Sequence, residues 1–152
     1  MKRALILIAE DLDSNFLFLK IVLSKQHDII WAKDGVETVK LFEEHNPDLI
    51  LMDIKMPNMD GLEATRAIRA ISTSVPIIAQ TANAFESDHQ KALEAGCTDV
   101  ITKPIKIVHL INMIEKYLPK IDEGKVDKDK VDEDKVEITE YFNKVYKEQY
   151  HD

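Results

Sequence analysis

The sequence predicts an α/β fold in which five strands and five helices alternate and the strands form one parallel sheet. Short apolar runs of strand length alternate along the chain with segments whose apolar residues recur at helical spacing. The connections between them are too short for anything but right-handed crossovers, which make the strands parallel. Helices must then cover both faces of the sheet, so we expect a three-layer sandwich.

The first predicted strand, Ala4–Ala9, ends at the acidic pair Glu10 and Asp11. A helix is expected to follow, with Ser14 or Asp13 as its N-cap. The apolar residues expected on and around its buried face are Phe16, Leu19, Ile21, Val22 and Leu23.

The second strand is predicted at Ile29–Ala32, and Asp34 opens the helix after it. This helix is expected to stop at Asn46-Pro47, because the residue before a proline disfavours helical backbone. Its apolar residues recur at helical spacing at Val36, Val39, Leu41 and Phe42.

The central strand, Asp48–Asp53, is an apolar run that ends in a carboxylate before a turn at Pro57–Gly61. Such an uninterrupted run is typical of a strand that is buried on both faces. The remaining predicted elements are a helix at Leu62–Ile71, a strand at Pro76–Gln80 that ends near Thr81, a helix at Ala84–Ala95 that closes on Gly96, a strand at Asp99–Thr102 and a helix at Ile105–Leu118.

The simplest topology for this order of elements is the flavodoxin-like (βα)5 arrangement, with sheet order 2-1-3-4-5. The first and third strands are then neighbours. Because ligands of open α/β sheets bind beyond the carboxyl ends of the strands, Glu10, Asp11 and Asp53 are expected side by side in that crevice.

Composition limits the function classes that the chain can serve. Its 152 residues, 45% of them apolar and 32% charged, fit one globular domain. A net charge of −8 argues against binding of nucleic acid, which needs a basic face. The single cysteine, Cys97, fits a reducing compartment, and the apolar run at Ala4–Ala9 is too short for a signal peptide or a membrane span. We therefore expect a cytoplasmic protein that does not bind membranes.

Polar groups at four strand ends point to phosphoryl chemistry. Three neighbouring carboxylates repel one another unless a cation lies between them, and an all-oxygen cluster suits Mg²⁺, with Mn²⁺ as the alternative. Thr81 and Lys103 end the fourth and fifth strands, so a hydroxyl and an ammonium group converge on Asp53. Taken singly, Asp53 and Thr81 fit turn residues and Lys103 fits a solvated lysine. Taken together, they form a phosphoryl cradle with Asp53 as the nucleophile.

The chain resembles the receiver domain of two-component response regulators of the chemotaxis-regulator type. The resemblance covers residues 1–118 and rests on four segments in the expected order, ILIAED, MDIKMPNMDG, IIAQTANA and ITKPI. It implies that Asp53 accepts a phosphoryl group from a phosphohistidine on a sensor histidine kinase or a histidine phosphotransfer protein. It also implies that Glu10, Asp11, Asp53 and the backbone carbonyl of Lys55 hold Mg²⁺.

The same resemblance assigns Lys103 and Thr81 to the phosphoryl oxygens and implies a cis peptide at Lys103-Pro104. The chain departs from the family at Val100, where many members have a Tyr or Phe that turns inward. A valine cannot reproduce a rotating ring, so the aromatic part of the switch is expected to be absent.

The sequence predicts a phosphorylation-dependent switch that modifies only itself, and two other functions are alternatives to it. A phosphatase of the aspartyl-phosphate type would share the Asp nucleophile and Mg²⁺, but it would need an acidic residue where this chain has Lys55. A pseudo-receiver, which keeps the fold without the chemistry, is disfavoured by the complete set of site residues.

The last part of the chain differs in composition. Residues 119–137 are expected to form a charged linker, or a frayed helix, and residues 138–150 a short amphipathic helix. That helix either packs on its own domain or serves as a docking or dimer-forming element. Because no DNA-binding or catalytic output domain follows, we expect either a stand-alone receiver that binds a downstream protein or a receiver from a hybrid histidine kinase.

Overall fold

The computed structural model describes residues 3–118, so the predicted segments at 119–137 and 138–150 lie outside the described residues. Ten elements alternate along the described chain. The strands are β1 (Leu5–Ala9), β2 (Asp28–Ala32), β3 (Leu49–Asp53), β4 (Ile77–Thr81) and β5 (Asp99–Thr102). The helices are α1 (Asp13–Leu23), α2 (Gly35–His45), α3 (Gly61–Arg69), α4 (Glu86–Ala95) and α5 (Ile107–Tyr117).

The five strands form one sheet in the order β2-β1-β3-β4-β5, and every pair is parallel. The predicted flavodoxin-like order is therefore confirmed. In the register, Ala9 lies opposite both Ala32 and Met52, and Asp53 lies opposite Gln80. The residues that follow β1 and end β3 thus meet at the same edge of the sheet.

The core is built on the central strands. Every residue of β3 and β4 is buried, including the polar residues at their carboxyl ends, Asp53, Gln80 and Thr81. For β3, the apolar run before Asp53 predicts this burial. One cluster joins them to Phe42 of α2 and to Ala64 and Ile68 of α3. Burying one large aliphatic side chain stabilises the folded state by about 1.5–3 kcal/mol. The buried strands therefore hold the residues at their carboxyl ends in fixed positions.

The start of α1 corrects the prediction that Ser14 or Asp13 is its N-cap. The N-cap is Leu12, which has no side-chain capping bond, and Asp13 is already helical. A carboxylate in the first turn is still favourable, because it faces the positive end of the helix dipole. Ile21 is also 40% exposed rather than buried, since the 100° step of a helix separates it from the face shared by Leu19, Val22 and Leu23.

The other helix ends largely follow the sequence signals. Asp34 caps α2 by accepting a hydrogen bond from the Glu37 amide, and Asn46 ends it with a left-handed backbone. Gly96 ends α4 with φ 113°. Helix α4 begins two residues later than predicted, and the other predicted bounds match the structure or differ from it by one or two residues. Val36 of α2 is 54% exposed, so its apolar side chain is not part of the buried face.

Helix α5 buries one apolar face, formed by Ile107, Leu110, Ile111, Met113 and Ile114. Within residues 3–118, no helix combines the length and the apolar character needed to cross a membrane.

Candidate functional site

The carboxyl ends of β1 and β3 bring three acidic residues together. Glu10 and Asp11 follow β1 directly, and Asp53 is the last residue of β3. One carboxylate oxygen from each of the three lies within 4.8 Å of the other two. The convergence that the strand order predicts is therefore present in the structure.

Glu10 is the buried member of this cluster. Its side chain is fully inaccessible to solvent, and Oε1 accepts hydrogen bonds from the Leu12 amide (3.3 Å) and from Asn15 Nδ2 (3.2 Å). Among the residues that the structure describes, Oε2 has no hydrogen-bond partner. Burial, and next the negative charge of Asp53, raise the pKa of Glu10 to about 7. A cation beside Glu10 would lower the free-energy cost of ionising it.

Lys103 supplies part of that positive charge. Its Nζ lies 3.2 Å from Asp53 Oδ2 and 3.6 Å from Glu10 Oε2. The Lys103-Pro104 peptide is cis, as the sequence resemblance implied. With all groups ionised, one ammonium against three carboxylates leaves two negative charges uncompensated. The site therefore attracts a further cation.

Thr81 and Lys55 flank Asp53 without completing the predicted cradle. Thr81 ends β4, one residue beyond the partner of Asp53, and its Oγ1 accepts a hydrogen bond from the Asn83 amide at 3.2 Å. Its hydroxyl makes no hydrogen bond to Asp53 in the part of the chain that the structure describes. The Lys55 amide donates to Asp53 Oδ1 at 3.3 Å, while its side chain is exposed.

The loop between β3 and α3 is held against Asp53 and α2. The Gly61 amide donates to the Ile54 carbonyl, and a Cβ at Gly61 would collide with the Asp53 carbonyl oxygen. Asn58, with φ 67°, donates from Nδ2 to Asp34 Oδ2 at 2.9 Å. The backbone near Lys55 is therefore fixed from both sides.

Sequence reasoning missed Asn15, Trp31 and the Asp34–Asn58 contact. The Trp31 indole Nε1 donates to the Glu10 carbonyl at 2.8 Å, which connects β2 to the residue that follows β1. The predicted sheet order makes the first two strands neighbours, and this signal could have placed Trp31 near Glu10. In the structure, Trp31 lies opposite Ile8. Asn15 carries no such signal, because its role depends on how α1 is oriented.

These donors suit a hard divalent cation. Three carboxylates supply only oxygen ligands, which Mg²⁺ prefers, whereas zinc favours nitrogen and sulfur. The buried Glu10 Oε2 lacks a hydrogen bond within residues 3–118, and a metal bond would satisfy it. The residues present therefore fit Mg²⁺, and they leave Asp53 between a cation site and Lys103.

A family model described as the response regulator receiver domain matches residues 6–115. The polar-differentiation response regulator DivK of Brucella ovis is 36% identical over 116 residues, which cover 74% of this chain and 94% of that protein.

Solved structures show the same likeness. The receiver domain of the sensor histidine kinase PA1611 from Pseudomonas aeruginosa, determined with a magnesium ion in its active-site cleft, is 35% identical with a TM-score of 0.71. The match covers 76% of this chain and 98% of that one. A chain in the co-crystal of the Saccharomyces cerevisiae phosphotransfer protein Ypd1 with the receiver domain of Ssk1 is 31% identical. Its TM-score is 0.74, and the match covers 80% of this chain and 94% of that one.

Proposed function

Because this chain belongs to the response regulator receiver domain family, we propose that it is a signalling switch in which Asp53 accepts a phosphoryl group in a Mg²⁺-dependent reaction. The observation that carries the proposal is the position of Asp53, whose carboxylate lies 3.2 Å from the Lys103 ammonium and within 4.8 Å of two further carboxylates. A lysine and a metal site on either side of one carboxylate are what phosphoryl transfer to that carboxylate requires.

Asp53 is the nucleophile of the proposed reaction. One of its carboxylate oxygens forms a bond to phosphorus while the P–N bond of a donor phosphohistidine breaks. The electron pair of that bond stays on the imidazole, which takes up a proton, and the product is an aspartyl phosphate. The buried strand β3 holds the nucleophile in place, so little reorientation is needed.

Glu10, Asp11 and Asp53, with the backbone carbonyl of Lys55, are the proposed Mg²⁺ ligands. The bound ion would withdraw negative charge from the transferring phosphoryl oxygens. The fit of the three carboxylates and the magnesium in the related PA1611 receiver support this assignment. Mn²⁺, which prefers the same ligand type, is the alternative ion.

Lys103 and Thr81 are the proposed contacts to the new phosphoryl group. The Lys103 ammonium already lies at Asp53, so it would pair with the phosphoryl oxygens as they arrive. Thr81 Oγ1 accepts a bond from the Asn83 amide, and its O–H would donate to a phosphoryl oxygen after the side chain turns toward Asp53. That turn is the proposed first movement of the switch. Position 100 is a valine buried in the core, so no aromatic ring at that position can move together with Thr81.

The proposed phosphodonor is a sensor histidine kinase or a histidine phosphotransfer protein. The related Ssk1 receiver domain was crystallised with the phosphotransfer protein Ypd1, which supports a partner of this kind. Phosphorylation would then change binding to a downstream protein, with self-association as a second form of output. The chain catalyses only its own phosphorylation and dephosphorylation in this proposal.

The proposal is tested by incubating the protein with Mg²⁺ and acetyl phosphate and measuring its intact mass. We expect one phosphoryl adduct on the wild type, no adduct in EDTA and no adduct on Asp53→Asn. Asp88→Asn, which changes an aspartate of α4, is the matched control and should be modified like the wild type. An unmodified wild type, as expected of a pseudo-receiver, or an adduct on Asp53→Asn would overturn the proposal.

A further inference from the structure

We propose that Trp31 is a positioning residue for the metal site, through the hydrogen bond that its indole donates to the backbone of Glu10. The inference rests on the proposed Mg²⁺ function of the acidic cluster. It concerns the acidic loop, defined here as Glu10–Leu12 between β1 and α1, which carries two of the three clustered carboxylates.

Both backbone groups of Glu10 are bound to β2. The Glu10 amide donates to the Ala32 carbonyl at 2.9 Å, which continues the ladder between β1 and β2. The Glu10 carbonyl accepts from Trp31 Nε1 at 2.8 Å, so a side chain makes the bond on that side. Glu10 is therefore fixed one residue beyond the end of its strand, where a loop would otherwise begin to move.

The Trp31 ring is itself held in place. It stacks on Phe16 of α1, with ring centroids 4.1 Å apart and an interplanar angle of 2°. The ammonium group of Lys33, two residues further along the chain, lies 4.7 Å from the centroid of the Trp31 ring. The direction of the indole N–H is thus set by packing as well as by its acceptor.

The stack of Phe16 on Trp31 connects the two elements, α1 and β2, whose side chains donate hydrogen bonds to Glu10 of the acidic loop. Asn15, the residue before Phe16, donates from Nδ2 to Glu10 Oε1 at 3.2 Å. The Glu10 side chain is therefore oriented from α1 and its backbone from β2, and the Phe16–Trp31 stack joins these two elements. Loss of the indole donor would leave the Glu10 carbonyl without this bond and free the loop on one side.

Loss of the hydrogen bond from Trp31 to Glu10 is expected to lower the affinity for Mg²⁺ in addition to any effect on the stability of the fold. Three carboxylates within 4.8 Å repel one another, so a loosened loop would relax away from Asp53 in the metal-free protein. Binding of Mg²⁺ would then have to gather the ligands again. Removing outer partners of metal ligands typically weakens metal binding by about 10–100-fold, and we expect the lower end of that range for a neutral backbone contact.

The experiment uses the fact that Trp31 is the single tryptophan of the chain. A tryptophan-auxotrophic host can replace it throughout with benzothienylalanine, which keeps the bicyclic ring and has sulfur in place of the N–H. The same host supplied with 5-fluorotryptophan gives a matched control that keeps the N–H. The Kd for Mg²⁺ is measured by titration calorimetry, and the Tm of each protein is measured in EDTA.

We expect the benzothienylalanine protein to bind Mg²⁺ about tenfold more weakly than the wild type, and the fluorotryptophan protein to match the wild type. If the first protein does not fold, Trp31→Phe, which keeps a ring against Phe16 and has no donor, is judged by the same Kd criterion. Phe42→Leu, in a buried aromatic residue of α2, controls for general destabilisation and should lower Tm without changing the Kd.

An unchanged Kd in the protein without the N–H overturns the inference, even if its Tm falls, because Trp31 is then only a packing residue. Equal weakening in both substituted proteins also overturns it, since ring substitution and not the donor would be responsible. Absence of Mg²⁺ binding to the wild type is a different result, which overturns the proposed metal site itself.

Discussion

Glu10 illustrates how one residue can oppose folding and still suit the proposed metal site. Its carboxyl group is fully buried, and its pKa is raised to about 7 by burial and by the charge of Asp53. The difference from the ordinary value of 4.5 corresponds to ~3 kcal/mol for ionising Glu10 in the metal-free fold. A cation bound at the proposed metal site would offset that cost, so the unfavourable burial of the ionised carboxylate would strengthen its interaction with the cation.

This residue predicts the pH dependence of stability. The folded state holds the Glu10 proton more tightly than the unfolded chain does, so stability is lost as the pH rises from 4.5 through about 7. We expect the free energy of unfolding in EDTA, measured with urea, to fall by up to ~3 kcal/mol between about pH 5 and pH 8 relative to Glu10→Gln. Parallel pH profiles for the two proteins would contradict this.

Lys55 is a second residue whose side chain has a testable effect. Its amide is bonded to Asp53 and its side chain is exposed, so the ammonium can shield a phosphoryl group on Asp53 from water. We expect the phosphorylated Lys55→Ala protein to lose its phosphoryl group about two- to fivefold faster than the wild type, the scale of an exposed charge interaction.

Decay is followed by intact mass after removal of the phosphodonor. Lys40→Ala, which removes an exposed lysine of α2, should decay at the wild-type rate. Faster decay in the wild type than in Lys55→Ala would show that the Lys55 side chain promotes hydrolysis instead of slowing it.

At the scale of elements, the sequence predicted the strands well because each contains a short apolar run, and the runs of β3 and β4 are fully buried. The four groups that meet at the site, Glu10, Asp11, Asp53 and Lys103, could be predicted because each lies at a strand end. The N-cap of α1 and the start of α4 could not, since Leu12 and Phe85 carry no capping side chain. The contacts of Asn15, Trp31 and Thr81 depend on side-chain orientations that no periodicity reveals.

The loop between β3 and α3 gives a prediction at this scale. Because a Cβ at Gly61 would collide with the Asp53 carbonyl oxygen, Gly61→Ala must displace backbone at the nucleophile. We expect it to lower the free energy of unfolding by about 2–3 kcal/mol, as overpacking does, and to weaken Mg²⁺ binding.

The control for this effect is Gly96→Ala, at the end of α4. There the backbone is left-handed with φ 113°, and the three atoms nearest to the added methyl group belong to the side chain of Arg69. This variant should lose stability to denaturant without a change in the Kd for Mg²⁺. Equal effects of the two substitutions on that Kd would contradict the prediction.

At the scale of the whole molecule, the proposed metal binding would be coupled to folding. The acidic cluster exists only when β1 and β3 pair, so the unfolded chain has no comparable site. We expect Mg²⁺ at about 100 times its Kd to stabilise the protein by about 2.7 kcal/mol, seen as a rise in Tm that EDTA reverses.

The matched variant for this measurement is Glu10→Gln, which removes one ligand charge and keeps the shape of the side chain. It should start from a higher stability in EDTA at about pH 8 and gain little from Mg²⁺. A rise in Tm that is as large in Glu10→Gln as in the wild type would place the stabilising ion elsewhere on the protein.

The hydrogen bond from Trp31 to the Glu10 carbonyl also connects the tryptophan fluorescence of the chain to the proposed metal site. Indole emission responds to changes at the N–H, and this chain has one indole, whose hydrogen-bond acceptor is the backbone of a proposed metal ligand. We therefore expect the proposed Mg²⁺ binding, and the proposed phosphorylation by a small phosphodonor, to change this emission. The unmodified protein would then report both events in real time without a label.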